Sequence, residues 1–315
     1  MKKVILFFSI ICCFSMSCGA PTPSSDKDDT PTSGKISFSV DETLSPIAEA
    51  QLDIFAHQNP QADITLRRRS EADCVRDLFD DSSKVIMIGR ELTAEERASF
   101  RGKTFDPPTT KVCTDAVVLL VNPKNRDTTL LYDQLLAILR GQTATWQALG
   151  SNIKGDVTLV FDNANSGTVS YLLKMSGQTA LPKNAFAAKS NPDVVNYVAE
   201  HENAIGIIGY SWVSDSDDPT AQQYLKKTRL VSLAPEGEKT FYKPFQQYLA
   251  LKKYPLSRSV YMIERQRRPG LASGFTTFVF HEIGQTIILK AGLVPANQSD
   301  RMLEMKVKPI GKVSN

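Results

Sequence analysis

The chain has 315 residues, of which 42% are hydrophobic and 23% charged, and this composition excludes a disordered, a collagen-like and a polytopic membrane protein. Lysine and arginine number 37 against 34 aspartate and glutamate residues, and the basic residues form no stripe, so no nucleic-acid partner is expected. A chain of this length is typical of two domains, each large enough to bury its own core.

The N-terminus has the pattern of an export signal. Two lysines precede an apolar run at residues 4–14, which is too short to span a bilayer of about 30 Å. Small residues then lead to Cys18, as in the lipobox of a bacterial lipoprotein. We therefore expect residues 1–17 to be a signal peptide, Cys18 to carry a lipid, and residues 18–34 to form a flexible tether. The protein would then lie in the bacterial cell envelope, on the periplasmic side and anchored to a membrane; the alternative is a soluble secreted protein cleaved nearby.

Two of the five cysteines, Cys74 and Cys113, lie in the part of the chain that is expected to fold. An oxidising compartment permits a disulfide between them, and two buried free thiols are the alternative. The sequence contains no CxxC pair and no cluster of histidine with cysteine, so it predicts no metal site and no cofactor.

After residue 34, short apolar strands alternate with amphipathic helices, which predicts an α/β fold with a mainly parallel sheet. The expected strands are residues 36–40, 62–66, 84–88, 115–121, 157–161 and 204–210, with a further strand-like pattern at 254–264. The expected helices begin near Pro46, Ser70, Thr93 and Thr168. A further helix after Pro123 carries the apolar residues between Leu130 and Leu139 and ends at Gly141, and a last long helix spans residues 270–291.

The loop at residues 163–168, Asn-Ala-Asn-Ser-Gly-Thr, lies between a predicted strand and a predicted helix. Such a loop offers unpaired backbone N–H groups and the positive end of the helix dipole, which together bind anions. Gly167 lets a ligand approach the backbone, and Ser166 and Thr168 add hydroxyl donors. The alternative is an ordinary helix N-cap, for which serine and asparagine are the commonest residues.

Two further loops, at residues 41–45 and 69–71, also open helices after predicted strands. Because the carboxyl ends of parallel strands meet at one edge of a sheet, the three loops would surround a ligand bound there. Arg90 follows the third strand at the same edge and would supply the cation that an anion site needs. The alternative for Arg90 is a surface ion pair with a neighbouring glutamate.

Several short motifs occur in order between residues 36 and 296. They are residues 90–96, 121–125, 139–141 with Trp146 and Leu149-Gly150, 166–168, 204–210, 254–258, Gly284-Gln285 and 290–296. Together they resemble the periplasmic phosphate-binding proteins of ABC transporters.

The resemblance implies a two-lobed class II periplasmic-binding-protein (PBP) fold. Lobe one would comprise residues 35–114 and 264–315, and lobe two residues 115–263 with the two crossovers of the hinge. An anion would bind between the lobes, where hinge closure buries it. The positions implied to bind the ligand are Thr43, Leu44, Ser70, Arg90, Asp162, Ser166, Gly167 and Thr168. The implied function is non-enzymatic: a monomer captures inorganic phosphate or a related oxyanion and delivers it to the membrane subunits of an ABC permease.

Two positions depart from the family pattern. Asp162 stands where the family has an arginine, and Arg90 stands where it has an aspartate, so the charges are exchanged between the lobes. A carboxylate accepts the proton of hydrogen phosphate, which sulfate lacks, so Asp41, Glu42 or Asp162 would favour phosphate. Ordinary turn chemistry is the alternative role for these carboxylates.

Three other functions stay open on the sequence alone. They are the same binding module for sulfate, molybdate or an organic phosphate, a hydrolase of phosphate esters, and a sensory or structural lipoprotein without a ligand. The hydrolase is disfavoured because the sequence shows neither a metal cluster nor a nucleophile with a matched base.

Overall fold

The computed structural model describes residues 29–102, 105–266 and 268–297. Within these ranges the strands are β1 (Gly34–Asp41), β2 (Ala62–Arg69), β3 (Val85–Ile88), β4 (Thr109–Val121), β5 (Thr129–Leu131), β6 (Thr158–Phe161), β7 (Ala185–Ala187), β8 (Ala204–Gly209), β9 (Arg229–Leu230), β10 (Ser232–Ala234), β11 (Ser257–Glu264) and β12 (Val294–Pro295). The helices are α1 (Ser45–Gln58), α2 (Glu71–Phe79), α3 (Ala94–Arg101), α4 (Tyr132–Leu139), α5 (Gly167–Ser176), α6 (Asn191–Glu200), α7 (Pro219–Lys227), α8 (Gln246–Ala250), α9 (Leu271–Phe280) and α10 (Glu282–Lys290).

One mixed sheet carries most of the strands, in the order β2-β1-β3-β11-β4-β8-β6-β7. Strand β4 joins its two parts, because residues 109–116 pair antiparallel with β11 and residues 117–121 pair antiparallel with β8. We call β2, β1, β3, β11 and residues 109–116 the first sheet segment. Residues 117–121 with β8, β6 and β7 are the second sheet segment.

The loops that follow the parallel strands face each other across the sheet. Strand β1 pairs parallel with β2 and β3, and β6 pairs parallel with β7 and β8. The N–H of Gly167, after β6, donates to Asp41 at the end of β1, and the Ser211 hydroxyl, after β8, donates to the Thr43 carbonyl. The carboxyl ends of strands from both segments therefore meet at one place in the fold.

A large cluster of buried apolar side chains extends through both segments, and a smaller one lies under α2 and α3. Residues 116–121 of β4 are fully buried, as expected of a strand that is covered on both faces. The strand that joins the two segments is thus held in the centre of the core.

The α/β architecture predicted from the sequence is confirmed. The predicted cap of α3 is also present: Thr93 accepts the Glu96 N–H at 3.2 Å, and the Glu96 carboxylate accepts the Thr93 N–H at 2.8 Å. Residues 129–131 differ from the expected helix, because they form β5 and pair with β10. Their apolar pattern fits a short strand as well as a helical turn, and the pairing decides between the two.

The long helix predicted for residues 270–291 is interrupted. His281 has an extended backbone, with φ −95° and ψ −177°, and it separates α9 from α10. At Gly284, α10 packs so closely on α9 that an added Cβ would lie 2.5 Å from the Phe278 carbonyl oxygen and from Val279. The helical pattern continues through this corner, so the pattern alone does not reveal the break.

Cys74 and Cys113 are both buried free thiols, and they lie in different core clusters.

The expected signal peptide, residues 1–17, and the expected lipid site, Cys18, lie outside the described residues. Within the predicted tether, the Asp29 carboxylate accepts the Leu271 N–H at 2.8 Å and so caps α9. The lobe boundaries at residues 114/115 and 263/264 remain predictions. Among the described helices, none has the length and apolar character needed to cross a membrane.

The close approach at Gly284 predicts that Gly284→Ala lowers the free energy of unfolding by about 1–3 kcal/mol, because backbone atoms must move to admit a methyl group. Gly102→Ala is the matched control, since its added Cβ would meet nothing nearer than 3.6 Å and its φ is −58°. We expect the control to stay within about 0.5 kcal/mol of the parent. Urea denaturation measures both variants, and equal losses would contradict the packing at this corner.

Candidate functional site

The candidate site lies where the two sheet segments meet, and it consists of buried polar side chains. They are Asp41 at the end of β1, Thr43 after β1, Asp115 on β4, Asp162, Ser166 and Thr168 after β6, and Arg258 on β11. None of these residues is more than 4% exposed. Polar groups buried to this extent need partners, so the hydrogen bonds among them define the site.

Arg258 is the cation at the centre of this cluster. It lies directly opposite Asp115 on the antiparallel strands β11 and β4, so both side chains project from the same face of the sheet. Its Nε and Nη2 donate to Asp115 Oδ2 at 3.1 and 2.9 Å, and Nη2 also donates to Thr43 Oγ1 at 2.9 Å. Nη1 is buried and has no hydrogen-bond partner among the described residues. The guanidinium is therefore fixed, with one donor group left over.

The N-terminus of α5 provides the hydroxyl groups of the site. Ser166 caps the helix by accepting the Val169 N–H at 3.5 Å, and its hydroxyl shares a hydrogen bond of 2.9 Å with Thr168. Thr168 donates to Asp162 Oδ1 at 3.3 Å, whereas Asp162 Oδ2 has no partner in the described part of the chain. Ser166 is thus a helix N-cap, the alternative that the sequence left open, and anion binding by this loop remains a prediction.

A protein carboxylate already occupies the N-terminus of α5. The Gly167 N–H donates to Asp41 Oδ2 at 3.1 Å, and Thr43 donates to the same oxygen at 2.8 Å. A Cβ at Gly167 would lie only 2.2 Å from this oxygen and 3.3 Å from Arg258 Nη1, so only glycine permits the approach. Asp41 Oδ1 has no partner among the residues described.

The loop after β1 is fastened to the second sheet segment at a further point. Glu42 Oε1 accepts the Asn191 N–H at the start of α6 at 3.2 Å, and Glu42 Oε2 bonds to the Asn191 side chain. The Trp212 indole N–H donates to the Glu42 carbonyl at 3.2 Å. Asp41 and Glu42 therefore place two consecutive carboxylates on the N-termini of two helices in the opposite segment.

Arg90 is placed beside this cluster, and carboxylates bind its guanidinium. Its Nε donates to Glu71 Oε1 at 2.7 Å, and its two terminal nitrogens donate to Glu96 at 2.7 and 3.0 Å. This is the ion pair with a neighbouring glutamate that the sequence left as the alternative. Arg258 lies in one of the motifs that carried the family resemblance, but the sequence analysis assigned it no ligand contact.

Two other predicted residues contribute less to the cluster. Ser70 uses its hydroxyl to cap α2, accepting the Asp73 N–H at 3.2 Å and donating to the Asp73 carboxylate at 2.8 Å. Leu44 is buried in the main apolar cluster, so only its backbone is available to a ligand. Ligand contacts by Ser70 and Leu44 remain predictions.

A cleft of about 610 Å³ leads to the buried cluster from the surface. Its lining includes Glu71, Arg90, Tyr171, Lys174 and Arg258, which come from both sheet segments. Because Arg258 is one of its lining residues, the cleft lies directly beside the buried cluster. The described residues include no group of three or more histidine, cysteine, aspartate or glutamate side chains positioned to hold a metal ion.

Burial raises the pKa values of the carboxyl groups in the cluster, and neighbouring carboxylates add to the shift for Asp41 and Glu42. Burial raises the pKa of Asp41 to about 8; the Arg258 charge opposes this shift, while Glu71 and Asp162 add to it. Burial, followed by the charge of Asp162, raises the pKa of Glu42 to about 7. The pKa values of Asp115 and Asp162 are also raised, mainly by burial. Several of these carboxyl groups therefore hold protons at pH values where exposed carboxyls are ionised.

These shifts predict that the protein is less stable at alkaline pH. The folded chain keeps protons on Asp41 and Glu42 after the unfolded chain has released them at ordinary carboxyl pKa values, 3.8 and 4.5. The free energy of unfolding must then fall as the pH rises from about 4 to about 8. We expect a loss of more than about 1 kcal/mol between pH 5.5 and pH 8, measured by urea denaturation, and a smaller loss in Asp41→Asn. A free energy of unfolding that rises over this interval would contradict the electrostatic description.

Comparison with known proteins identifies the fold. The PBP superfamily domain matches residues 25–282. The phosphate-binding protein PstS of Bacillus subtilis strain 168 is 24% identical over 273 residues, which cover 86% of this chain and 84% of the relative. A Clostridium perfringens protein solved with bound phosphate aligns with a TM-score of 0.71 and 21% identity, over 84% of this chain and all of the other. An ABC-type phosphate transport receptor from Vibrio cholerae aligns with a TM-score of 0.63 and 21% identity, over 82% of this chain and 99% of the other. The two-lobed α/β fold implied by the sequence motifs is thereby confirmed, and the chain belongs to the PBP superfamily.

Proposed function

We propose that this protein binds inorganic phosphate between its two sheet segments and passes it to an ABC permease. The observation that carries the proposal is Nη1 of Arg258, which has no hydrogen-bond partner among the described residues and lies 3.3 Å from the Cβ position of Gly167 at the N-terminus of α5. A buried guanidinium nitrogen without an acceptor, next to a helix N-terminus, is matched to an oxyanion. The names of the PstS relatives support phosphate as that anion.

Each group of the cluster has a specific part in holding the anion. The Gly167 N–H and Arg258 Nη1 would donate to phosphate oxygens from two directions. The hydroxyls of Ser166 and Thr168, now bonded to each other at 2.9 Å, would rotate to donate as well. The Thr43 hydroxyl would donate from the first sheet segment. A ligand held by both segments keeps the cleft closed and excludes water.

Asp162 is the group that would select phosphate over sulfate. Glu42 already binds the N-terminus of α6 and Asp41 that of α5, whereas Asp162 Oδ2 is buried without a partner in the described ranges. This oxygen would accept the proton of hydrogen phosphate. Sulfate carries no such proton, and its oxygen would face a carboxylate oxygen with no hydrogen between them.

Delivery to a permease places further requirements on the protein. We propose that Cys18 carries the lipid, that the protein acts as a monomer on the periplasmic side of the envelope, and that the membrane subunits of an ABC transporter receive the phosphate. The permease-bound state would open the cleft of about 610 Å³ that lies beside Arg258. The proposed function requires binding and release, without covalent chemistry.

The hydroxyl groups at the α5 N-terminus provide the first test. We expect Ser166→Ala with Thr168→Ala to weaken phosphate binding about tenfold or more, because two donors to a charged ligand are lost. Ser176→Ala is the matched control, since this serine lies at the other end of α5 and donates to the Leu172 carbonyl at 2.8 Å. Isothermal titration of the purified chains with phosphate, and then with sulfate, measures these effects. Unchanged phosphate affinity in the double variant would contradict the placement of the site at the α5 N-terminus. Binding of sulfate more tightly than phosphate by the parent chain would contradict phosphate as the ligand.

Lysine substitutions at Arg258 and at Arg90 test which of the two arginines binds the phosphate. Arg258→Lys keeps the charge opposite Asp115 but removes the planar fork, so phosphate affinity is expected to fall more than about tenfold. Arg90→Lys is expected to cost less, because Glu71 and Glu96 occupy the Arg90 guanidinium. Titration with phosphate measures both variants, with circular dichroism to verify folding. A larger loss for Arg90→Lys would assign the ligand to Arg90 instead.

A further inference from the structure

The Asp41 side chain already uses hydrogen-bond donors that a ligand in this site would need. Asp41 Oδ2 accepts hydrogen bonds from the Gly167 N–H at 3.1 Å and from the Thr43 hydroxyl at 2.8 Å. These are two of the donors that an anion at the α5 N-terminus requires. The side chain is fully buried, so it occupies the anion position itself.

Phosphate and the ionised Asp41 side chain compete for the same space. A Cβ at Gly167 would lie 2.2 Å from Asp41 Oδ2, so no atom of a ligand fits between this carboxylate and the helix N-terminus. A backbone N–H in the geometry seen here serves one acceptor. Phosphate can bind to Gly167 only after Asp41 Oδ2 has given up its hydrogen bond.

The surrounding charges oppose a second anion next to an ionised Asp41. The groups that act on Asp41 or lie against it are Arg258 on β11, Glu71 and Cys74 on α2, and Asp162 after β6, with Asp115 behind Arg258 and Arg90 behind Glu71. Arg258 is already paired with Asp115, and Arg90 with Glu71 and Glu96. The cluster therefore has no unpaired positive charge to neutralise both Asp41 and phosphate.

Protonation is the simplest way for Asp41 to release its hydrogen bond with the Gly167 N–H. Its Oδ1 has no hydrogen-bond partner in the described part of the chain, so a proton can attach there without breaking an existing bond. Burial raises the pKa of Asp41 to about 8, which makes the proton available near neutral pH. A neutral Asp41 no longer competes as an anion for the positive end of α5.

We propose that Asp41 is a built-in competitor for the ligand, and that phosphate binds at the N-terminus of α5 together with a proton that Asp41 Oδ1 takes from solvent. This inference rests on the phosphate-binding function proposed above. In the absence of phosphate, the Asp41 carboxyl group fills the anion site and links the two sheet segments, and above about pH 8 it does so in the ionised form. Phosphate replaces that link, and the proton removes the charge that would repel it.

Proton uptake on binding provides the test. Phosphate is titrated into the purified chain at pH 8.5, where free phosphate is almost entirely the dianion, in two buffers of different ionisation enthalpy. We expect between about 0.5 and 1 proton taken up per phosphate by the parent chain. In Asp41→Asn we expect uptake near zero and phosphate affinity about tenfold higher at this pH. Asp63→Asn removes one exposed carboxylate that pairs with Lys35, and it is expected to behave as the parent.

The outcomes separate the two proposals. Phosphate binding without proton uptake, or weaker binding in Asp41→Asn, overturns the role of Asp41 and leaves the proposed function intact. Binding by Asp41→Asn but not by the parent at pH 8.5 supports the competitor role. No phosphate binding by either chain between pH 5.5 and pH 8.5 overturns the proposed function, and the inference falls with it. If Asp41→Asn does not fold, the uptake measured for the parent chain alone decides the question.

Discussion

The buried ion pair between Asp115 and Arg258 fixes the cation of the proposed ligand site. The two residues face each other on β4 and β11, the central strands of the sheet, and β4 belongs to both sheet segments. Burying such a pair costs desolvation energy that the attraction between the charges only partly recovers. The ion pair is nevertheless present. It leaves Arg258 Nη1 directed at the α5 N-terminus without a partner among the described residues. A cation fixed in this way needs little reorganisation when an anion arrives.

The other polar residues of the site depend on this fixed cation. Thr43 accepts a hydrogen bond from Arg258 Nη2 and donates to Asp41, so the loop after β1 is aligned by the guanidinium. Asp41 and Glu42 then reach across to the N-termini of α5 and α6. The two sheet segments are therefore joined by protein carboxylates at the place where we propose that phosphate binds. The excess of carboxylates is compatible with burial because several of them carry a proton near neutral pH.

The sequence predicted the parts of the fold and site that depend on local signals. The loop at residues 163–168 was assigned to a helix N-terminus because serine and glycine before an apolar run are local capping signals, and Ser166 is the N-cap. Arg258 was missed because its contact with Asp115 joins residues 143 apart in sequence, and no local pattern reports which strands pair. Arg90 was predicted from its position after β3, but local pairing with Glu71 and Glu96 binds its guanidinium. The break at His281 and the strand at residues 129–131 were missed because tertiary packing overrode a helical pattern.

A structure determined with phosphate bound tests the central claim most directly, namely that the anion site is formed by Arg258 Nη1 and the N-terminus of α5. We expect a phosphate oxygen within hydrogen-bond distance of Arg258 Nη1 and another near the Gly167 N–H, with Asp41 Oδ2 no longer bonded to Gly167. Phosphate bound at Arg90 or elsewhere in the cleft, with the hydrogen bond between Gly167 and Asp41 intact, would contradict it.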